Sequence, residues 1–170
     1  MIRHEKPEDH PHIGRVNDLA FGQPDEGSMV EQLRLNPRFI PELSLVSLDG
    51  DDVVGHILFF PIDISTADAR ETSLSLAPLA VHPDYQGRGI GGKLVAEGLK
   101  VAKGLGFDSV IVMGHPGYYP RFGFKPASVW GIRPPMKAPD EAFMALELKA
   151  GGLKGKSGVV EYPREYGFVI

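Results

Sequence analysis

The 170-residue sequence contains no cysteine. That excludes disulfides, thiolate metal sites and a cysteine nucleophile. A basic excess is also missing: 18 lysines and arginines face 22 aspartates and glutamates, a net charge of −4. With a pI near 5.8, no nucleic-acid footprint is indicated. No apolar run approaches the roughly 20 residues that span a bilayer, and Met1-Ile2-Arg3-His4-Glu5 lacks the apolar stretch of a secretory signal. A cytoplasmic location is the expectation, with neither a membrane nor a nucleic-acid partner. There is no internal repeat, no low-complexity tract and no dividing linker. A content of 42% apolar and 24% charged residues is that of an ordinary globule, and one domain over residues 1–170 is expected.

What the chain does have is glycine where an apolar strand turns into a helix. Leu76-Ala77-Pro78-Leu79-Ala80-Val81 leads into His82-Pro83-Asp84-Tyr85-Gln86-Gly87-Arg88-Gly89-Ile90-Gly91-Gly92-Lys93. Beyond it Ile90, Leu94, Val101 and Leu105 form one helical stripe with Val95, Leu99 and Ala102 beside it, and Gly104 and Gly106 supply the stop. The start of such a helix carries unpaired N–H groups and the positive end of the dipole. Gly87, Gly89 and Gly91 keep side chains away from that backbone, and Arg88 and Lys93 add charge. The stretch reads as a cradle for a phosphate or pyrophosphate.

Two phosphate-binding patterns fit only partly. Gly87 to Gly92 satisfies G-x-G-x-x-G, but the next strand, Ser109–Met113, carries its acid, Asp108, at the end where it cannot hold a ribose. Gly87 to Lys93 approaches a P-loop, but Leu94 stands where the magnesium-binding Ser or Thr belongs. The histidines carry no metal reading: His10 and His12 lie near a helix start without partners, and His56 and His82 read as surface or core-edge residues.

The remaining pattern predicts strands over Ile2–Lys6, Leu43–Leu48, Val53–Ile64, Thr72–Val81 and Ser109–Met113. Helix one begins after Pro7-Glu8-Asp9, has Ile13, Val16, Leu19 and Ala20 inward and ends at Phe21-Gly22; helix two covers Gly27–Asn36. Asp49-Gly50-Asp51-Asp52 reads as a hairpin turn, and the alternation shift at Ala77-Pro78 as a β-bulge. Later strands are expected at Val129–Ile132, Phe143–Leu148 and Gly158–Tyr162, with a flexible lysine-bearing turn over Gly151–Gly158. The order is β-α-α-β-β-β-α-β-(α)-β-β, an α+β arrangement on a mixed sheet.

A third pattern, Q/R-x-x-G-x-G/A, is met in full by Gln86-Gly87-Arg88-Gly89-Ile90-Gly91, and Tyr119-Pro120-Arg121-Phe122-Gly123-Phe124 meets Y-x-x-x-G-F. Together they resemble the GNAT superfamily of N-acetyltransferases. The runs P-L-A-V-x-P-x-Y-Q-G-R-G-I-G and Y-Y-P-R-F-G-F resemble a bacterial branch of predicted N-acetyltransferases. The resemblance implies the GNAT fold, α+β with a mostly antiparallel mixed sheet and a bulged strand before the glycine-rich loop. It implies acetyl-CoA as co-substrate, no metal, and direct acetyl transfer to a primary amine, small molecule or peptide, in a ternary complex. Homodimers are common in that family. Gln86, Gly87, Arg88, Gly89, Ile90, Gly91 and Gly92 would hold the pyrophosphate and Leu79, Ala80 and Val81 the pantetheine arm, with the Leu79 N–H toward the thioester carbonyl. Tyr119 would be the general acid, with Tyr118 its neighbour. Relatives often carry a glutamate in the strand before the bulge, where this chain has Ser73-Leu74-Ser75-Leu76. The base is therefore open among Glu71, Asp63, His115 and a water chain. The alternatives kept open are a non-catalytic acyl-CoA-binding or sensing module and transfer of a longer acyl group.

Overall fold

The computed structural model describes residues 1–167; residues 168–170, the end of the expected domain, lie outside them. In chain order the elements are β1 (Ile2–His4), α1 (His10–Phe21), α2 (Asp25–Arg34), β2 (Ser44–Asp49), β3 (Asp52–Ser65) and β4 (Arg70–Val81). There follow α3 (Ile90–Gly104), β5 (Ser109–Met113), β6 (Lys125–Pro126), β7 (Ile132–Arg133), β8 (Phe143–Glu147) and β9 (Gly158–Glu161). This is an α+β fold on a mixed, mostly antiparallel sheet, in the expected order; a 3-10 turn at Tyr119–Phe122 stands where a fourth helix was bracketed. Parallel pairing occurs at β4–β5 and β7–β9. The chain forms two compact units, one of Met1–Phe60, Ala77–Val101 and the segment from Glu165, the other of Pro61–Leu76 and Ala102–Arg164; β3 and β4 run through both.

In the second unit β4 pairs with β5 at Leu74–Val110 and Ser75–Ile111, and β5 pairs along its length with β8, from Ser109–Glu147 to Met113–Phe143. Ile62 and Ile64 of β3, Ile111 of β5, Phe143 and Ala145 of β8 and Val160 of β9 belong to one buried cluster, with Trp130 and Tyr162 packed against it. The strand expected at Val129–Ile132 is shorter. Val129 and Trp130 belong to a 3-10 turn that Gly131 closes at φ 72°, and only Ile132–Arg133 is extended. Apolar residues misled the reading because Val129 is exposed, as a turn residue can be. The Gly151–Gly158 turn is not free either. Leu153 is fully buried with its N–H on the Glu147 carboxylate at 2.9 Å, and Lys149 and Lys156 both reach Asp108.

In the first unit α1 ends where Gly22 takes φ 67°, and it buries Ile13 and Val16 but leaves Leu19 on the surface, contrary to the expected stripe. Helix α2 buries Met29, Val30 and Leu33. Both helices are tied to β1, β2 and β3 by a buried polar chain. The Glu5 carboxylate accepts Arg34 Nε and Nη2 at 2.8 and 3.0 Å, His10 Nε2 at 2.8 Å and the Ser44 hydroxyl. A carboxylate can only accept, so Ser44 Oγ donates to it and accepts the His56 Nε2–H hydrogen bond at 2.9 Å; His56 Nδ1 then accepts from Asn17 Nδ2 at 3.1 Å. His56 is therefore a fully buried, neutral link, not the surface or core-edge residue expected, and burial pushes its imidazole down to about 3. Burial alone would raise the Glu5 carboxyl, but hydrogen bonds from Arg34 and Ser44 hold it below its ordinary value.

Helix α3 lies unusually close to β3. A Cβ on Gly98 would come within 2.1 Å of the Phe59 ring, and one on Gly55 would lie 2.9 Å from Leu94 and 3.0 Å from Ile90. Replacing Gly98 by Ala favours a helix by about 1 kcal/mol in isolation, yet the clash outweighs this, because overpacking costs about 1–3 kcal/mol. Gly98→Ala should therefore lower the melting temperature by a few degrees, and Phe59→Leu in the same chain should recover part of the loss. An alanine variant as stable as wild type would contradict this packing.

Candidate active site

The turn from β4 into α3 begins at a 3-10 turn, Pro83–Tyr85, that directs the chain toward the first unit's helix. The burial pattern of β4 runs through Leu76, Pro78 and Ala80, leaving Leu79 and Val81 half-buried; the Ala77–Pro78 peptide is cis. The strand end is fixed twice: His82 N–H donates to Val54 O at 2.8 Å, and the Gln86 side chain donates to Val81 O at 3.1 Å. Gln86 thus uses its amide on the protein's own backbone. Gly87 and Gly89 take φ 78° and 80°, the left-handed region where a side chain is strained, and a Cβ on either would meet nothing within 4 Å.

The first helical hydrogen bond of α3 runs from Lys93 N–H to Gly89 O at 3.1 Å. The N–H groups of Ile90, Gly91 and Gly92 therefore have no acceptor inside the helix and sit at the positive end of a 15-residue dipole. Arg88 and Lys93 are exposed at this end. Open backbone donors, glycines that clear a path and a positive helix end form a site chemically suited to an anion.

Arg88 does not hang free. Its guanidinium lies 4.9 Å from the centre of the Tyr85 ring, and the Tyr85 hydroxyl donates to Asp49 Oδ2 at 2.8 Å. That bond, with the Asp49 charge, raises the Tyr85 phenol above its ordinary value. Sequence reading missed Tyr85 and Asp49, because no motif spacing links a hairpin acid to a residue 36 positions later.

In the second unit, Gly114-His115-Pro116-Gly117 leads from β5 into the Tyr119–Phe122 turn, which Gly123 closes at φ 99°. Tyr119 is buried: its ring packs edge-on to Tyr118 and Phe124, and a Cβ on Gly114 would come within 2.5 Å of it. Its hydroxyl makes no hydrogen bond among the described residues, and burial pushes its phenol up to about 12. Tyr118 is half-buried and stacks under Arg121, 4.5 Å from its ring centre. His115 is exposed and contributes its carbonyl to the turn, accepting from Tyr118 N–H at 3.0 Å. Glu71 is half-buried near the start of β4, and Asp63 sits opposite Glu161 in the β3–β9 pairing. Ser73 on β4 and Ser109 on β5 are buried with their hydroxyls 2.7 Å apart. Among the described residues no group of three His, Asp or Glu side chains could hold a metal ion, and no helix is long and apolar enough to cross a membrane.

This strand order, with a glycine-rich turn opening the helix after β4, defines an acetyltransferase class, and a family model described as an acetyltransferase (GNAT) domain matches residues 1–127. The chain belongs to the GNAT acetyltransferase family. The uncharacterized N-acetyltransferase YhbS of Escherichia coli K12 is 34% identical over 167 residues, covering 98% of each chain. A crystal structure of E. coli YhbS in complex with CoA superposes with a TM-score of 0.90 at 32% identity, over 98% of this chain and 91% of that one. A GNAT family acetyltransferase from Brucella melitensis in complex with acetyl-CoA gives 0.77 at 33% identity, over 98% and 97%.

The positive φ at Gly89 yields a direct test. Any L-residue there costs about 1–2 kcal/mol of backbone strain, and the open space offers no compensating contact. Urea unfolding should show Gly89→Ala less stable by that amount, with Gly89→Asn losing less because asparagine tolerates this backbone. Equal stability of all three would contradict the turn geometry.

Proposed function

We propose that this chain is an acetyl-CoA-dependent N-acetyltransferase that passes the acetyl group directly to a primary amine in a ternary complex. The observation that carries the reading is the cradle: three unpaired N–H groups at the start of α3 behind Gly87 and Gly89, in a family whose similar solved structures hold CoA and acetyl-CoA. Residues 1–170 then act as one catalytic domain. Gln86 to Gly92 would hold the pyrophosphate through backbone donors, with Gln86 shaping the turn, and the acyl-pantetheine arm would run along Leu79, Ala80 and Val81. These three lie past the last β4–β5 pair, at Ser75–Ile111.

In the reaction the amine lone pair attacks the thioester carbonyl carbon, the carbon–sulfur bond breaks, and the departing thiolate takes a proton. Tyr119 is the proposed donor: a phenol raised to about 12 by burial keeps its proton through the working pH range. The attacking ammonium must first lose a proton. Mid-strand β4 offers only Ser73 and Ser75, both buried, so the base is Glu71, Asp63, His115 or a water chain to a carboxylate. That same serine pair favours a second reading, a coenzyme-A-sensing module without turnover.

Thiol release from acetyl-CoA across a panel of primary amines tests both. Amine-dependent release supports catalysis; tight CoA binding with no release under any amine supports the sensing module. In the active case Tyr119→Phe should lower kcat by about 100-fold or more while KM for acetyl-CoA holds. The wild-type rate should rise with pH as the amine loses its proton, with no fall from Tyr119 until pH approaches about 12. A phenylalanine variant with wild-type kcat would remove Tyr119 from the mechanism.

A further inference from the structure

The hairpin joining β2 to β3 has no assigned part in coenzyme binding, yet its Asp49 is joined to the glycine-rich loop through Tyr85. We propose that Asp49 and Tyr85 are positioning residues that hold Arg88 at the mouth of the phosphate cradle, so that the β2–β3 hairpin is part of the coenzyme-binding apparatus. The proposal rests on reading the cradle as the pyrophosphate site.

The geometry is that of a brace. Arg88 stands between Gly87 and Gly89, both in backbone conformations that leave the loop unconstrained by side chains. An arginine on such a loop would sweep a wide volume, and an anion would have to order it on binding. Here the guanidinium rests on the Tyr85 ring at 4.9 Å. Tyr85 is in turn held at three points. Its hydroxyl donates to Asp49 at 2.8 Å, its backbone N–H donates to His82 O at 2.8 Å, and the His82 ring meets it edge-on at 5.7 Å. His82 is itself fixed, its Nδ1 accepting the Asp84 N–H at 3.1 Å. The arginine is therefore set before any phosphate arrives.

The sign of one substitution separates this brace from simple electrostatics. Asp49 is a negative charge near an anion site, so on charge alone its removal should tighten CoA binding. The brace predicts the reverse. Calorimetric titration of the full chain with CoA should show Asp49→Ala, Tyr85→Phe and Tyr85→Leu all weaker than wild type, the last by about two- to fivefold from the lost cation–π contact. In an Arg88→Gln background the same substitutions should have no further effect, since they act through Arg88. With acetyl-CoA as substrate, KM should rise in the three variants and kcat should hold. Equal or tighter CoA binding by Asp49→Ala, or losses that add to that of Arg88→Gln, overturns the brace while leaving the cradle intact. A wild-type chain that binds no CoA overturns the cradle reading and the brace with it. Thermal melts of each variant show that it is folded, and Tyr85→Phe, which keeps the ring, serves should Tyr85→Leu not fold.

Discussion

The geometry of the cradle depends on a side chain that is absent. Gly98 lets the Phe59 ring lie against the backbone of α3, and Gly55 lets Leu94 and Ile90 settle onto β3. A helix packed through its backbone is held at a shorter distance than one packed through leucines, and its axis has fewer alternatives. The direction of the dipole, and the point in space where the N–H groups of Ile90, Gly91 and Gly92 emerge, follow from that packing. The strand end is fixed independently by His82 on Val54 and Gln86 on Val81. The glycines at 87 and 89 are thus flexible in type but held at both ends, which is how a loop with little side-chain mass presents ordered donors.

Polar groups in this protein fall into two populations with different tasks. The chain from Asn17 through His56, Ser44 and Glu5 to Arg34 is largely buried and ordered in its proton directions, and at its end Asn17 Oδ1 has no hydrogen-bond partner among the described residues. It fastens α1 and α2 to three strands, and leaving any member unpaired would strand a buried charge or donor. Arg88 and Asp49 are exposed and Tyr85 half-buried, and their contacts are worth little as stability. Their value lies in preorganisation. Tyr119 stands apart from both: it is buried among Tyr118, Phe122 and Phe124, which raises its phenol and keeps its proton.

Much of the architecture was legible because periodicity and glycine placement speak locally. The Ser109–Met113 strand, the stop of α1 at Gly22, the Asp49–Asp52 hairpin and the start of α3 all carry their own signals. The glycine-rich turn into α3 was legible for the same reason, since Gly87 and Gly89 each answer a backbone requirement. Long-range features were not. His56 looks like any strand histidine until Asn17 and Ser44 converge on it from 39 and 12 positions away. Val129 and Trp130 have strand composition but sit in a turn that Gly131 closes. The Gly151–Gly158 turn looked free because its anchor, Asp108, lies more than 40 residues upstream. Tyr85 and Asp49 escaped notice because each belongs to a different local pattern.

The central claim is that the α3 N-terminus receives the pyrophosphate of coenzyme A. Thermal unfolding of the chain with CoA, acetyl-CoA, NAD or ATP, each at saturating concentration, addresses it most directly. A ligand present at about 100 times its dissociation constant adds about 2.7 kcal/mol to the folded state, a shift of several degrees for a chain of this size. The account predicts that shift with CoA and acetyl-CoA and none with NAD or ATP. A shift with NAD or ATP, and none with either form of the coenzyme, would contradict it.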